Sequence, residues 1–127
     1  MQKFVLVVGA STGIGRDCAL DLAQRGWKVW ASVRNPGDAP SHEKITEILL
    51  DVTKDCQALT SLELDAVVYN AGIVVAGPLE LIPESTFNHQ LEVNLFGAMR
   101  VVRATMPTLR QRRGRLIFIG SISGRVA

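Results

Sequence analysis

The stretch FVLVVGASTGIG, residues 4–15, decides the fold. Phe4–Val8 is an unbroken apolar run rich in β-branched residues, as expected of a parallel strand covered on both faces. Gly9–Gly15 then places three glycines in seven residues. Behind them Ile14, Cys18, Leu22 and Ala23 recur at helical spacing, and Gly26 can end that helix. The glycines after such a strand either make a tight turn or leave room for something large and charged to lie against the backbone.

Further along the chain, short β-rich runs alternate with amphipathic ones. KVWASV (28–33), ITEILL (45–50), LDAVVY (64–69) and RLIFIG (115–120) read as further strands. NPGDAPS (35–41) is a loop, residues 53–62 can hold one short helix, and NAGIVVAGP (70–78) is a second glycine-bearing loop. A long helix is predicted from Glu84 to Arg110, with Leu91, Leu95, Met99, Val102, Met106 and Leu109 as its buried stripe. Pro83 suits its first turn, and Pro107 falls where it would kink or tighten the last turns. This alternation predicts an α/β fold: a doubly wound, Rossmann-like parallel sheet of about five strands with right-handed crossovers.

The length of 127 residues fits one domain, and 47% hydrophobic with 20% charged residues excludes disorder. A net charge of +2 is too small to imply a nucleic-acid or membrane partner. The cations Arg110, Arg112, Arg113 and Arg115 suit a helix C-terminus before a glycine better than a nucleic-acid patch. No apolar run reaches the roughly 18 residues of a membrane helix. MQKFVLVVGA runs straight into the glycine motif without a cleavage site, so it is not read as a signal peptide. Cys18 and Cys56 have neither disulfide-framework nor metal-like spacing, and no metal site is expected. The expected location is the cytoplasm.

A helix N-terminus offers unpaired N–H groups and partial positive charge, and so attracts phosphate. The spacing here is GxxxGxG, neither the GxGxxG fingerprint nor a P-loop. In a dinucleotide fold an acid that holds an unphosphorylated ribose is expected about 20 residues after the glycines. Ser32 stands there, with Arg34 two positions on. A hydroxyl and a guanidinium suit a 2′-phosphate that a carboxylate would repel, which favours NADP over NAD. The alternative for Arg34 is a solvated surface arginine. Asp51, at the end of the third strand, can face a ligand, cap the following helix, or do both. If the fourth strand lies beside the first, Asn70-Ala71-Gly72 faces the glycine loop across the switch-point crevice.

These residues resemble the short-chain dehydrogenase/reductase family. GASTGIG resembles its cofactor loop, LDV (50–52) its adenine-contact position, and YNAG (69–72) its NNAG loop. EVNLFG (92–97) is similar to its fourth-helix motif, and GRLIFIGSISG (114–124) to the strand that delivers its catalytic serine. KVWASVRN is similar to its NADP-preferring branch. In order, the motifs span essentially the whole chain, so residues 1–127 are expected to form a dinucleotide-binding domain.

The resemblance implies roles residue by residue. Gly9, Ser11, Thr12, Gly13, Ile14 and Gly15 would form the pyrophosphate loop, and Ser32 and Arg34 would receive the 2′-phosphate. Asp51 and Val52 would lie near adenine; Asn70, Ala71 and Gly72 near the ribose and nicotinamide. Asn94 would organise a proton-relay water, and Ser121 would hydrogen-bond a substrate carbonyl oxygen. The bland alternatives are a capped or solvated polar residue for Asn94 and a turn former for Ser121. The implied activity is NADP-dependent hydride transfer between nicotinamide and a small carbonyl or alcohol substrate.

The sequence also departs from the family. The proton donor there is a tyrosine in a YxxxK pair downstream of the serine; this chain ends at Ala127, and its one tyrosine is Tyr69, in the cofactor loop. Val8 replaces the usual Thr before the first glycine, Tyr69 replaces the first Asn of NNAG, and the 51–70 segment is short. The family's last strands lie beyond these residues, which would leave RLIFI as an exposed apolar edge prone to pairing. The chain is therefore expected to be inactive alone and to associate with itself or with a C-terminal segment. The alternatives are a non-catalytic dinucleotide-binding module and a methyltransferase-like Rossmann protein, the latter disfavoured by Ser32. His42 and His89 carry no assigned role.

Overall fold

A computed structural model describes residues 1–126. The strands β1 (Phe4–Val8), β2 (Lys28–Val33), β3 (Ile45–Leu49), β4 (Ala66–Tyr69) and β5 (Arg115–Phe118) form one sheet in the order β3-β2-β1-β4-β5, with every neighbouring pair parallel. The fold is the Rossmann-like α/β sheet that the alternation predicts. The chain order turns between β1 and β4, which puts a switch point at their C-terminal ends.

Successive side chains of a strand point to opposite faces, and β1 shows how the sheet is covered. Val5 and Val7 pack with Ala19 and Ala23 of α1 (Gly13–Gln24), while Leu6 and Val8 pack with Ala98, Val101 and Leu109 of α3 (Gly97–Arg112). All four β1 valine and leucine side chains are buried, which accounts for the continuous apolar run. After α1, Gly26 at φ 93° lets the Gly26 and Trp27 amides turn back onto Ala23 and Leu22.

Three expectations are corrected. Ile14 does not share the buried face of α1: it is 64% exposed, and Gly15, Ala19 and Ala23 face the sheet instead. The long helix is not continuous. It is α2 (Glu84–Leu91), a π-turn (Glu92–Phe96), and α3, which continues through Pro107 to Arg112. Its buried stripe is Ala98, Val101, Thr105 and Leu109, with Leu95 and Met99 more than 40% exposed. The reason is close approach. A side chain on Gly97 would come within 2.7 Å of Val52 Cγ2 and 2.8 Å of the Tyr69 hydroxyl oxygen. Only small residues fit against the sheet there, and the larger ones stay outside.

The 53–62 helix is a short 3₁₀ segment, Gln57–Ser61, whose Leu59 is fully buried. β4 starts two residues later than predicted, and β5 ends two residues earlier.

Candidate functional site: the crevice at the switch point

A cleft of about 240 Å³ opens at the C-terminal ends of β1 to β4. Its walls include Gly9, Ser11, Thr12, Ser32, Arg34, Asp51, Val52, Asn70, Ala71 and Gly72. Residues from four separate strand ends, far apart in sequence, therefore meet in one place.

Gly9 has φ 80°, and a side chain there would sit 2.9 Å from the Ala71 backbone. Glycine is thus required by both conformation and space. Gly15 is fixed differently: a side chain would run into the Gly9 carbonyl and the Asn70 amide. Gly13, at φ 55°, has open space where a side chain would stand. The loop is tied down from both sides. Gly9 N–H donates to Ser32 Oγ at 3.2 Å, and Asn70 Nδ2 donates to the Gly9 carbonyl at 2.9 Å.

The helix behind the loop starts at Gly13, and its cap residue, Thr12, makes no side-chain capping bond. The first N–H groups of a helix have no intrahelical partner, and the first turn of α1 carries no acid to compete for them. Free N–H groups with no acid beside them are the chemistry that suits an anion at a helix start.

Ser32 is buried, and its hydroxyl is turned to the glycine loop. Arg34 is exposed on the cleft wall. Asp51 accepts from the Thr53 hydroxyl at 2.7 Å and the Thr53 amide at 2.9 Å. These bonds, aided by the charges of Lys54 and Arg34, hold its carboxyl below the usual carboxylate range. Asp51 thus caps the turn after β3 and lines the cleft, but it does not cap the following 3₁₀ helix, whose cap residue is Cys56.

Asn94 and Ser121 do not reach the cleft wall, nor do Gly13, Ile14 and Gly15. Asn94 is exposed outside the cleft and holds its edge: its Oδ1 accepts from Ile73 N–H and its Nδ2 donates to the Ile73 carbonyl, both at 2.8 Å. Ser121 lies past the end of β5, exposed, accepting from the Ser123 amide at 3.1 Å. Tyr69 is not in the loop. It ends β4, is 4% exposed, and donates to the Val93 carbonyl at 2.6 Å. Burial pushes its phenol up to about 12. Val8 and Tyr69, the two departures next to the loops, are register partners and share one apolar cluster, so their contact is made of packing.

His89 and Val93 also line the cleft. They stand four apart on consecutive helical residues and so share a face. That spacing is visible in the sequence, but a lone histidine gives no reason to look for it.

Comparison with known proteins agrees with this fold. The family model described as short chain dehydrogenase matches residues 3–127. The 3-ketodihydrosphingosine reductase of Bacteroides thetaiotaomicron is 31% identical over 96% of this chain and 48% of its own length. Human retinol dehydrogenase 5 is 35% identical over 99% of this chain and 45% of its own. Among solved structures, a short-chain dehydrogenase from Streptomyces avermitilis superposes with a TM-score of 0.89 at 27% identity, covering all of this chain and 52% of that one. ElxO with NADP bound superposes at 0.88 and 27% identity, covering all of this chain and 58% of that one. The chain spans about half the length of the curated relatives it matches. It belongs to the short-chain dehydrogenase/reductase family.

Proposed function

We propose that residues 1–127 form the dinucleotide-binding part of an NADP-dependent oxidoreductase acting on a small carbonyl or alcohol. The observation that carries the choice of cofactor is the end of β2: Arg34 on the cleft wall, with no acid beside it on that strand. A guanidinium there pairs with a 2′-phosphate, whereas the carboxylate of an NAD site would repel it.

The residues fit such a cofactor. The open space at Gly13 and the acid-free start of α1 receive the pyrophosphate. Asp51 and Val52 flank the adenine, and the Asn70–Gly72 loop holds the ribose and nicotinamide side. When bound, the nicotinamide supplies the redox chemistry, exchanging hydride with a carbonyl or alcohol carbon. Asn94 keeps the loop edge at Ile73 in place and organises the proton-relay water, and Ser121 orients the substrate oxygen. General acid–base catalysis needs a titratable group within hydrogen-bond reach of that oxygen. Tyr69 is buried and already donating to Val93, so it does not serve. Turnover on this reading needs a proton donor from outside these residues.

An apolar surface supports association. Ile117 and Phe118 of β5 and Ile119 just past its end are each at least 41% exposed, and Leu95, Met99 and Phe118 line one apolar groove beside α3. A second copy, or a C-terminal segment, would cover it. With both thiols free, a reducing compartment such as the cytoplasm suits the chain.

Calorimetric titration of the 127-residue chain with NADPH and NADH tests the cofactor assignment. NADPH binding at least about tenfold tighter supports it, since a charge-assisted bidentate pair is worth that much. Equal affinities would count against NADP. A second reading, a non-catalytic dinucleotide-binding module, is favoured by the burial of Tyr69. It predicts NADPH binding with no turnover even when a C-terminal segment is supplied.

A further inference from the structure

The last residue of β4 has a consequence for the cleft. Tyr69 is the chain's one tyrosine, and its hydroxyl donates to a carbonyl within the π-turn, that of Val93. A π-turn takes a helix off its regular pairing pattern, and a side-chain donor to one of its carbonyls can help to hold that shape. The phenol is held on two further sides. Gly97 leaves no space for a side chain above it. The Phe118 ring meets it with centroids 6.1 Å apart at 53°. The residue after Val93 is Asn94, whose carboxamide makes both of its bonds to Ile73. Val93 and Ile73 both stand on the cleft wall.

We propose that Tyr69 is a positioning residue: by bonding the Val93 carbonyl, it holds the π-turn in the shape that delivers Asn94 to Ile73, and so sets the edge of the cleft. Its value for cofactor binding rests on the dinucleotide reading above; the mechanical link from Tyr69 to Ile73 does not. A hydroxyl at this position does work that a phenyl ring alone cannot. Phenylalanine keeps the packing against Phe118 and Gly97 but removes the phenol's bond to the Val93 carbonyl.

The test is amide hydrogen exchange at Ile73 in the 127-residue chain without cofactor, with Val7 in the middle of the sheet as the internal reference. Y69F is expected to speed exchange at Ile73 about tenfold, with a much smaller change at Val7. N94A is expected to do at least as much, and the double variant no more than N94A. Unchanged exchange at Ile73 in Y69F, an equal rise at Ile73 and Val7, or multiplying effects in the double variant would each overturn the link. If Y69F does not fold, 3-fluorotyrosine at position 69 keeps the donor. Its single fluorine resonance is expected to shift in N94A, and an unmoved resonance would overturn the link. NADPH titration of the wild-type chain separates the two levels. Ile73 released in Y69F without any NADPH binding by the wild type keeps the link and removes the dinucleotide reading. NADPH binding by the wild type with Ile73 undisturbed in Y69F removes the link alone.

Discussion

The side-chain amide of Asn70 donates to the carbonyl of Gly9 at 2.9 Å, tying the loop after β4 to the loop after β1. The two strands already run side by side, with Val8 in register with Tyr69. The tie therefore extends the sheet's order by one residue, past the last ladder pair and into the floor of the cleft. It also sets the close approach that leaves room only for glycine at position 15.

Removing that tie should be felt in stability and in binding. Asn70→Ala leaves the Gly9 carbonyl without its side-chain donor, at a cost of about 1–2 kcal/mol. Urea unfolding should show this as a lower midpoint at unchanged slope. On the proposed reading, in which the loop it supports receives the pyrophosphate, NADPH affinity should fall by about tenfold. A variant with wild-type stability and affinity would show that the bond is dispensable.

Arg34 should control the choice between cofactors and little else. Arg34→Ala is expected to lower NADPH affinity by about 10- to 100-fold, the scale of one charge-assisted phosphate contact, and to leave NADH affinity within about twofold. Exposed as it is, its loss should not move the thermal midpoint measurably. Parallel titrations of the two cofactors check this, and an equal loss for both would contradict it.

Asp65 anchors the opposite end of the sheet. It accepts from Arg112 Nε at 3.0 Å, Arg112 Nη2 at 3.2 Å and the Phe4 amide at 2.8 Å. Burial pushes its carboxyl up, but the Arg112 guanidinium and the Phe4 amide outweigh this and hold it below its ordinary value. A carboxyl lowered in the folded state stabilises above its unfolded pKa, and that stabilisation is lost as pH falls through the folded value. Asp65→Asn should therefore cost about 2 kcal/mol at neutral pH. The gap to wild type should narrow once the pH drops below about 4. A gap that stays constant down to pH 2, about two units lower, would contradict this origin.

Arg113 ends α3 at φ 52°, ψ 41°, the left-handed conformation at which helices favour glycine. Arg113→Gly should raise stability by about 1 kcal/mol, since a non-glycine residue is strained there. A thermal melt checks it, and a lower midpoint would mean that the arginine side chain makes up for the strain.

The strands were legible because buried parallel strands are nearly continuous apolar runs, and Phe4–Val8 and Ala66–Tyr69 are such runs. That β4 lies beside β1 is only a condition at the level of sequence, and the structure supplies it. The glycine turn after β1 was legible for a similar reason, since few other residues survive where Gly9 and Gly15 stand. The helical layer was not. The sequence shows Leu95 and Met99 as large apolar residues at helical spacing, and the natural inference is that they are buried. The opposite holds because Gly97 and Ala98 let the helix lie close to Val52 and Tyr69, and the π-turn breaks the regular spacing just before them. The role of Tyr69 was hidden as well. Its partner is a backbone carbonyl 24 residues away, and no side-chain pattern marks that. His89 reaches the cleft only through the helix that carries it.

The central claim is that the cleft holds the dinucleotide with its pyrophosphate on the start of α1 and its 2′-phosphate on Arg34. Following the backbone amide resonances of the 127-residue chain through an NADPH titration tests it most directly. The account predicts saturable shifts at Gly13, Ile14 and Gly15, at Arg34, and along Ala71–Ile73, with NADH reproducing all but those around Arg34. An undisturbed glycine loop at saturating NADPH, or shifts confined to the α3 groove, would contradict it.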